Sequence, residues 1–140
     1  MRIRVLGSAA GGGFPQWNCN CRNCDGVRKG SIRAFPRTQS SICVSSDGIN
    51  WVLFNASPDL RQQLIATPQL HPSVGQLRHS PSAGVILTNG EIDAVAGLLS
   101  MREGSPFTLY AHERVLAILR SNSIFNVLGD VIDGREQPKT

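Results

Sequence analysis

The sequence predicts an α/β fold, a mixed sheet flanked by helices, read as the first half of a layered sandwich. Three observations carry this. Strand-like apolar runs come first, at 2–6, 40–45 and 51–54, and strands then alternate with helical patterns to about residue 128. Turn chemistry separates the runs at Asp47-Gly48, Ser57-Pro58-Asp59 and Thr88-Asn89-Gly90. The series stops soon after a helix, where another strand is expected. The sheet therefore reads as half built, either a truncated domain or one completed by a partner.

Each element has a local cause. Residues 2–6 alternate, with Ile3 and Val5 on one face, and glycines at 11–13 then permit a tight loop. The segment from Arg22 to Gln39 is polar and basic and is expected to run over the surface as loop. Residues 40–45 and 51–54 flank Asp47-Gly48 and form a hairpin. Ser57 is expected to cap a helix with Pro58 in its first turn, carrying Leu60 and Leu64 and stopping before Pro68. Residues 68–82 read as a loop, and Gly84–Leu87 as a short buried strand. A helix over 92–102 places Ile92, Val95, Ala96 and Leu99 on one face. Phe107–Ala111 is a strand, Val115 to Leu119 a helix, Asn122 to Leu128 a further short helix, and 130–140 a polar tail.

Composition narrows the class. The 140 residues are 41% hydrophobic and 17% charged, the balance of a globular domain. No apolar run is long enough for a membrane helix, and the chain enters a strand without a signal-like apolar region, so a cytoplasmic location is expected. The net charge of +4 comes from dispersed residues such as Arg28, Lys29, Arg33, Arg37, Arg61 and Arg78, with no interleaved aromatics. Nucleic acid is therefore not an expected partner.

The strongest motif is Cys19-Asn20-Cys21-Arg22-Asn23-Cys24. Thiols this close cannot form useful loop-closing disulfides, and one metal ion explains them best. Free surface thiols and a catalytic thiol are the weaker alternatives. Zinc takes four ligands, so one position stays open for His71, His79, His112, Asp25 or a residue beyond the chain's end. Each histidine is otherwise a solvated or capping residue, and Cys43 is expected as a buried apolar thiol. Gly11-Gly12-Gly13 could cradle a phosphate, but no Lys-Ser or Lys-Thr follows, so it is read as backbone freedom for the metal loop. In Leu87–Leu98, Asn89, Glu91 and Asp93 could offer oxygen ligands. The residues alone favour the plainer reading of an Asn-Gly turn and an acidic helix start.

Leu87–Leu98 resembles the metallo-β-lactamase signature T-H-x-H-x-D-H-x-x-G-L through Thr88, Asp93 and Gly97-Leu98. The stretch from Leu6 to Cys24 is more specific. With Arg37-Thr38-Gln39-Ser40-Ser41, Asn55-Ala56-Ser57-Pro58-Asp59 and Gly97 to Gly104, it resembles the pyrroloquinoline quinone (PQQ) biosynthesis protein B family over residues 1 to about 128. The resemblance implies a metallo-β-lactamase-like αββα sandwich, here one incomplete domain over 1–140 with a zinc-binding loop region at 7–39. It implies a structural zinc on Cys19, Cys21 and Cys24, away from the chemistry.

The same resemblance implies an Fe(II)-dependent, oxygen-using hydroxylation of a small, dipeptide-like, tyrosine-derived PQQ precursor, with Asp93 as catalytic metal ligand. Its alternative is a non-catalytic carrier moving PQQ or its precursor toward the periplasm. Asn89 and Glu91 stand at degenerate ligand positions, and Ala94 replaces the last histidine of the signature. Family members are about twice as long and draw further His and Asp ligands from their second half. One carboxylate cannot hold Fe(II), which prefers two histidines and a carboxylate. The zinc site thus carries over better than the activity, and an inactive fragment is a third expectation. The sequence leaves open whether a homodimer covers an open sheet edge.

Overall fold

The computed structural model describes residues 1–103 and 105–131 of the chain. Five strands form one mixed sheet in the order β1 (Arg2–Gly7), β2 (Ser41–Ser45), β3 (Trp51–Phe54), β4 (Ser82–Leu87) and β5 (Thr108–Ala111). The first three pair antiparallel; β3–β4 and β4–β5 pair parallel, each joined by a helical crossover. The helices are α1 (Arg22–Arg28), α2 (Leu60–Ile65), α3 (Ile92–Val95) and α4 (Glu113–Ser121). Short 3₁₀ segments occupy Pro68–Leu70, Ala96–Glu103 and Ser123–Val131.

The pleat sets the two faces of the sheet. Cys43, Leu53, Trp51, Val85 and Leu87 point inward and join Leu60, Leu98, Leu119 and Phe125 of the helical layer in one buried core. The alternation at Ile3 and Val5 is real, but it faces the other way. Both pair with β2 on the outer face, opposite Val44 and Ile42, and remain 58% and 68% exposed because no helix covers that side. Tyr110 is exposed there as well. The outer face is apolar and uncovered among the described residues.

The hairpin forms as expected, and Asp47 organises its turn. Its carboxylate accepts from Ser45 Oγ, the Ile49 and Asn50 amides and the Asn50 side chain, at 2.8–3.0 Å. These bonds hold the Asp47 carboxyl well below the usual carboxylate range, Asn50's side chain contributing most.

Four expectations need correction. The segment after Cys21 is not all loop: α1 forms there because Cys21 caps it, Asp25 pairs with Lys29 at 2.9 Å, and Cys24 and Gly26 are buried. Ser57 does not cap α2. Its hydroxyl accepts from the Asp59 amide and donates to buried Gln63, while Asp59 takes the cap position without a side-chain cap bond.

The helix expected over 92–102 is α3 followed by 3₁₀ structure from Ala96. Gly97 explains the change: its amide donates to Ala56 O at 2.8 Å, and a Cβ there would lie 2.1 Å from Ser57 O. Ile92 is 71% exposed, while Ala94, Val95 and Leu98 are buried in the core. Part of the expected loop at 68–82 is ordered as 3₁₀ at Pro68–Leu70, where buried Leu70 joins the core. Of the tail expected over 130–140, residues from 132 onward lie outside the described residues.

Candidate functional site

Between β1 and β2 the chain makes a long excursion that carries the three clustered cysteines. Its limbs are stapled at the base. The amides of Ser8 and Ala9 donate to Thr38 O at 3.0 and 2.9 Å, and the Ser40 amide donates to Ala9 O at 2.8 Å. Farther out, Phe14 and Arg37 exchange amide bonds at 2.8 and 2.7 Å. Gly12 and Gly13, with φ of 88° and 72°, make the turn between, and the Gly13 amide closes it onto Ala10 O at 3.0 Å.

The staple is locked onto α2 by Gln63, to which sequence reasoning assigned no role, and by Asp59, read there only as part of the Ser57-Pro58-Asp59 turn. Buried Gln63 donates through Nε2 to Gln39 O at 2.7 Å and Thr38 Oγ1 at 3.0 Å. The Asp59 carboxylate accepts from the Gln39 amide and side chain at 2.9 and 3.1 Å. Every polar atom this network buries thereby gains a partner, which is the condition for burying it cheaply. The stretches Arg37–Ser41 and Asn55–Asp59 contained these residues, but nothing in their local spacing marks the pairing.

The cysteine thiols converge. Sγ of Cys19, Cys21 and Cys24 all lie within 4.8 Å of one another. Three sulfurs around one zinc, at about 2.3 Å each, stand about 3.8 Å apart, so small side-chain rotations close the set. Backbone amides reach two of the sulfurs. The Cys24 amide donates to Cys21 Sγ and the Cys21 amide to Cys19 Sγ, both at 3.5 Å. The Cys24 amide, then the neighbouring thiols of Cys19 and Cys24, lower Cys21 to about 7. The strongest influence on Cys24 is a downward one, from the Gln16 backbone. Burial and the adjacent Cys21 and Cys19 outweigh it and push that thiol up. Cys43 stands apart in the core, where burial raises its thiol to about 11.

The candidates for a fourth zinc ligand do not join this group. Among the described residues it is the one set of three or more His, Cys, Asp or Glu close enough for a metal, and no fourth such residue completes it. Asp25 pairs with Lys29 instead. His71 Nε2 bonds Ile65 O at 2.8 Å, His79 Nδ1 accepts from the Ser73 amide at 3.2 Å, and His112 caps α4 by accepting from the Arg114 amide.

Asp93 lies in a cleft of about 170 Å³, bounded by Gly11, Ser40, Asn55 and Asn89. Asn55 sits at the end of β3 with φ of +61°, an uncommon conformation for a side-chain-bearing residue. From there it accepts from the Thr88 amide and donates to Thr88 Oγ1, both at 2.9 Å, and so pins the start of the 88–93 loop. Asn89 Oδ1 accepts from the Glu91 amide at 2.9 Å, an Asx turn that sets up α3. Glu91 is exposed at the N-terminal end of α3. An Fe(II) site needs ligands this set does not contain. Among the described residues Asp93 has no His, Cys, Asp or Glu pair with which to share a metal.

The chain is similar to known proteins in family and fold. Residues 50–138 match the family model described as beta-lactamase superfamily domain. The chain is 66% identical over 140 residues to a coenzyme PQQ synthesis protein B of Rhodopseudomonas palustris (strain BisB5), covering 100% of this chain and 45% of that protein. It is 66% identical over 138 residues to the protein of the same name from Bradyrhizobium diazoefficiens, covering 99% and 44%. A crystal structure of Zn²⁺-bound PqqB from Methylobacterium extorquens superposes with a TM-score of 0.88 at 58% identity, covering 92% of this chain and 46% of that one. The fold is therefore metallo-β-lactamase-like, and the chain spans less than half the length of the relatives it matches. Among the described residues no helix is long and apolar enough to cross a membrane.

Proposed function

Because the chain belongs to the beta-lactamase superfamily and, within it, to the coenzyme PQQ synthesis protein B family, we propose that it forms the part of a PQQ synthesis protein that holds a structural zinc and presents Asp93 to a reaction cleft. The observation that carries the zinc reading is the convergence of the Cys19, Cys21 and Cys24 thiols within 4.8 Å. Zinc bound there ties the excursion before α1 to α1 itself and supplies folding energy, not reactivity.

The substrate we infer is the tyrosine-derived PQQ precursor, and the chemistry its hydroxylation. Asp93 would contribute one carboxylate, with Asn55 and the Asx turn at Asn89 fixing the loop that carries it. The remaining ligands have to come from the additional length of the longer relatives. The cleft of about 170 Å³ beside Asp93 is below the usual size of a small-molecule site, which fits a site shared with further chain. The same size counts against the carrier reading for this segment alone.

Two measurements test the proposal. Purified protein should hold one equivalent of zinc by elemental analysis; a metal-free chain in zinc-replete medium would remove the zinc reading. For the pathway role, the segment replaces its counterpart in a full-length relative, in a strain lacking its own PQQ synthesis protein B. Restored PQQ production is the expected result. A soluble, zinc-loaded chimera that leaves the strain without PQQ would overturn it.

A further inference from the structure

The three thiols come from two separate pieces of chain. Cys21 caps α1 and Cys24 sits in its first turn, so their relation is set by helix geometry. Cys19 belongs to the loop before the helix, and its sulfur can meet the other two only if that loop is held over the helix's start. Beside the bonds from the Cys19 amide to Gln16 O and from the Cys21 amide to Cys19 Sγ, one side chain does this. Arg28, in the last turn of α1, donates through Nη1 to Gln16 O at 2.9 Å and through Nη2 to both Cys19 O and Asn20 Oδ1, the last at 3.0 Å.

We propose that Arg28 is a positioning residue for the metal clip: its guanidinium stitches the 16–20 loop onto α1 and so presets Cys19 against Cys21 and Cys24. The planar fork suits this task. It reaches three acceptors at once with little loss of freedom per bond, which a lysine ammonium on a flexible stem cannot do. It also holds a full positive charge on the carbonyl of a cysteine whose thiolate must share one ion with two others, easing the repulsion among them. Neighbouring Lys29 does not share the role: it turns to Asp25. The inference rests on reading the cluster as a zinc site.

The test compares zinc affinity, by competition with a chromophoric chelator, in wild type, Arg28→Met and Lys29→Met, each in the full chain. Alkylation of the zinc-loaded proteins is mapped residue by residue by mass spectrometry. Loss of such an outer partner typically weakens metal binding roughly 10–100-fold. Arg28→Met should raise the zinc Kd by about that factor and expose Cys19 to alkylation while Cys24 stays protected. Lys29→Met should leave both unchanged. An unaltered Kd in Arg28→Met, or an equal rise in Lys29→Met, would overturn the positioning role.

If Arg28→Met loosens the zinc-free chain by circular dichroism, Arg28→Lys decides. A Kd at or approaching that of Arg28→Met supports the fork, whereas a wild-type Kd shows that charge alone suffices and overturns it. Wild type that binds no zinc removes the zinc reading itself, a result distinct from either.

Discussion

The carboxylate of Asp93 rests against Cα of Gly11: a β-carbon on Gly11 would fall 2.6 Å from Oδ2 and 3.2 Å from Oδ1. The turn that feeds the cysteine clip thus forms a wall of the Asp93 cleft. Residues 82 positions apart in the chain meet there, joining the two features that the sequence shows separately.

Gly11→Ala tests that contact. The obstructing atoms are the far end of a flexible side chain, so Asp93 should swing aside rather than the fold give way. Stability should change by less than about 1 kcal/mol, as for an exposed substitution. The Asp93 carboxyl ¹³C resonance should shift, and a crystal structure should show a new rotamer. An unchanged resonance and rotamer would show that the contact does not constrain Asp93.

Gly97→Ala should behave in the opposite way. Here the obstacle is backbone: the added carbon would lie 2.1 Å from Ser57 O and 2.8 Å from Ala56 C, and neither can rotate away. The 3₁₀ segment from Ala96 would have to lift off the end of β3, breaking the bond from the Gly97 amide to Ala56 O. A loss of about 3 kcal/mol, the upper part of the range for overpacking, is expected in urea unfolding. A loss below about 1 kcal/mol would mean the crossover is looser than this packing indicates.

These two glycines show what could and could not be read from the sequence. The strands were legible because β2, β3 and β4 are short apolar runs rich in β-branched and aromatic residues and bounded by turn residues, and the thiol cluster was legible because metal spacing is local. Helix α1 was not: its stability comes from a cap, one ion pair and the burial of Cys24 and Gly26, none of which produces apolar periodicity. The helix after Asn89 was legible in place but not in type, because Gly97 adopts 3₁₀ geometry for a contact with Ala56 and Ser57, 41 and 40 positions away. The Asp93 cleft combines residues 11, 40, 55, 89 and 93, and such a set has no signature along the chain. The outward aim of Ile3 and Val5 was hidden for a related reason: alternation tells which residues share a face, not which face is covered.

Asp47 makes the hairpin turn acid-sensitive. Its folded carboxyl titrates below the unfolded value of about 3.9, so its stabilising effect is present above that value and is lost as pH falls through the folded one. Urea unfolding of wild type and Asp47→Ala should therefore differ at pH 7 and converge as pH drops below about 4. A gap that stays constant down to pH 2 would show that the hydrogen bonds to the turn do not depend on the carboxylate charge.

The four thiols should separate into two classes under alkylation. At pH 7.5 Cys21, lowered to about 7, carries mostly thiolate and should react first in the zinc-free protein. Cys43, raised to about 11 and fully buried, should stay unmodified until the chain is unfolded. Zinc should protect Cys19, Cys21 and Cys24 together and leave Cys43 unaffected, since it lies outside the cluster. The metal takes thiolates, so binding releases protons from whichever of the three still carry them. Cys24, shifted upward, is protonated at neutral pH, and Cys21 becomes so as pH falls through about 7. Zinc affinity should accordingly fall with decreasing pH, and more steeply below pH 7 than above it, as the Cys21 proton joins the competition. Calorimetry in buffers of different ionisation enthalpy counts the protons released. A count that does not rise between pH 8 and pH 6 would contradict the lowered thiol of Cys21 and, with it, the claim that the backbone amide of Cys24 prepares the site before metal arrives.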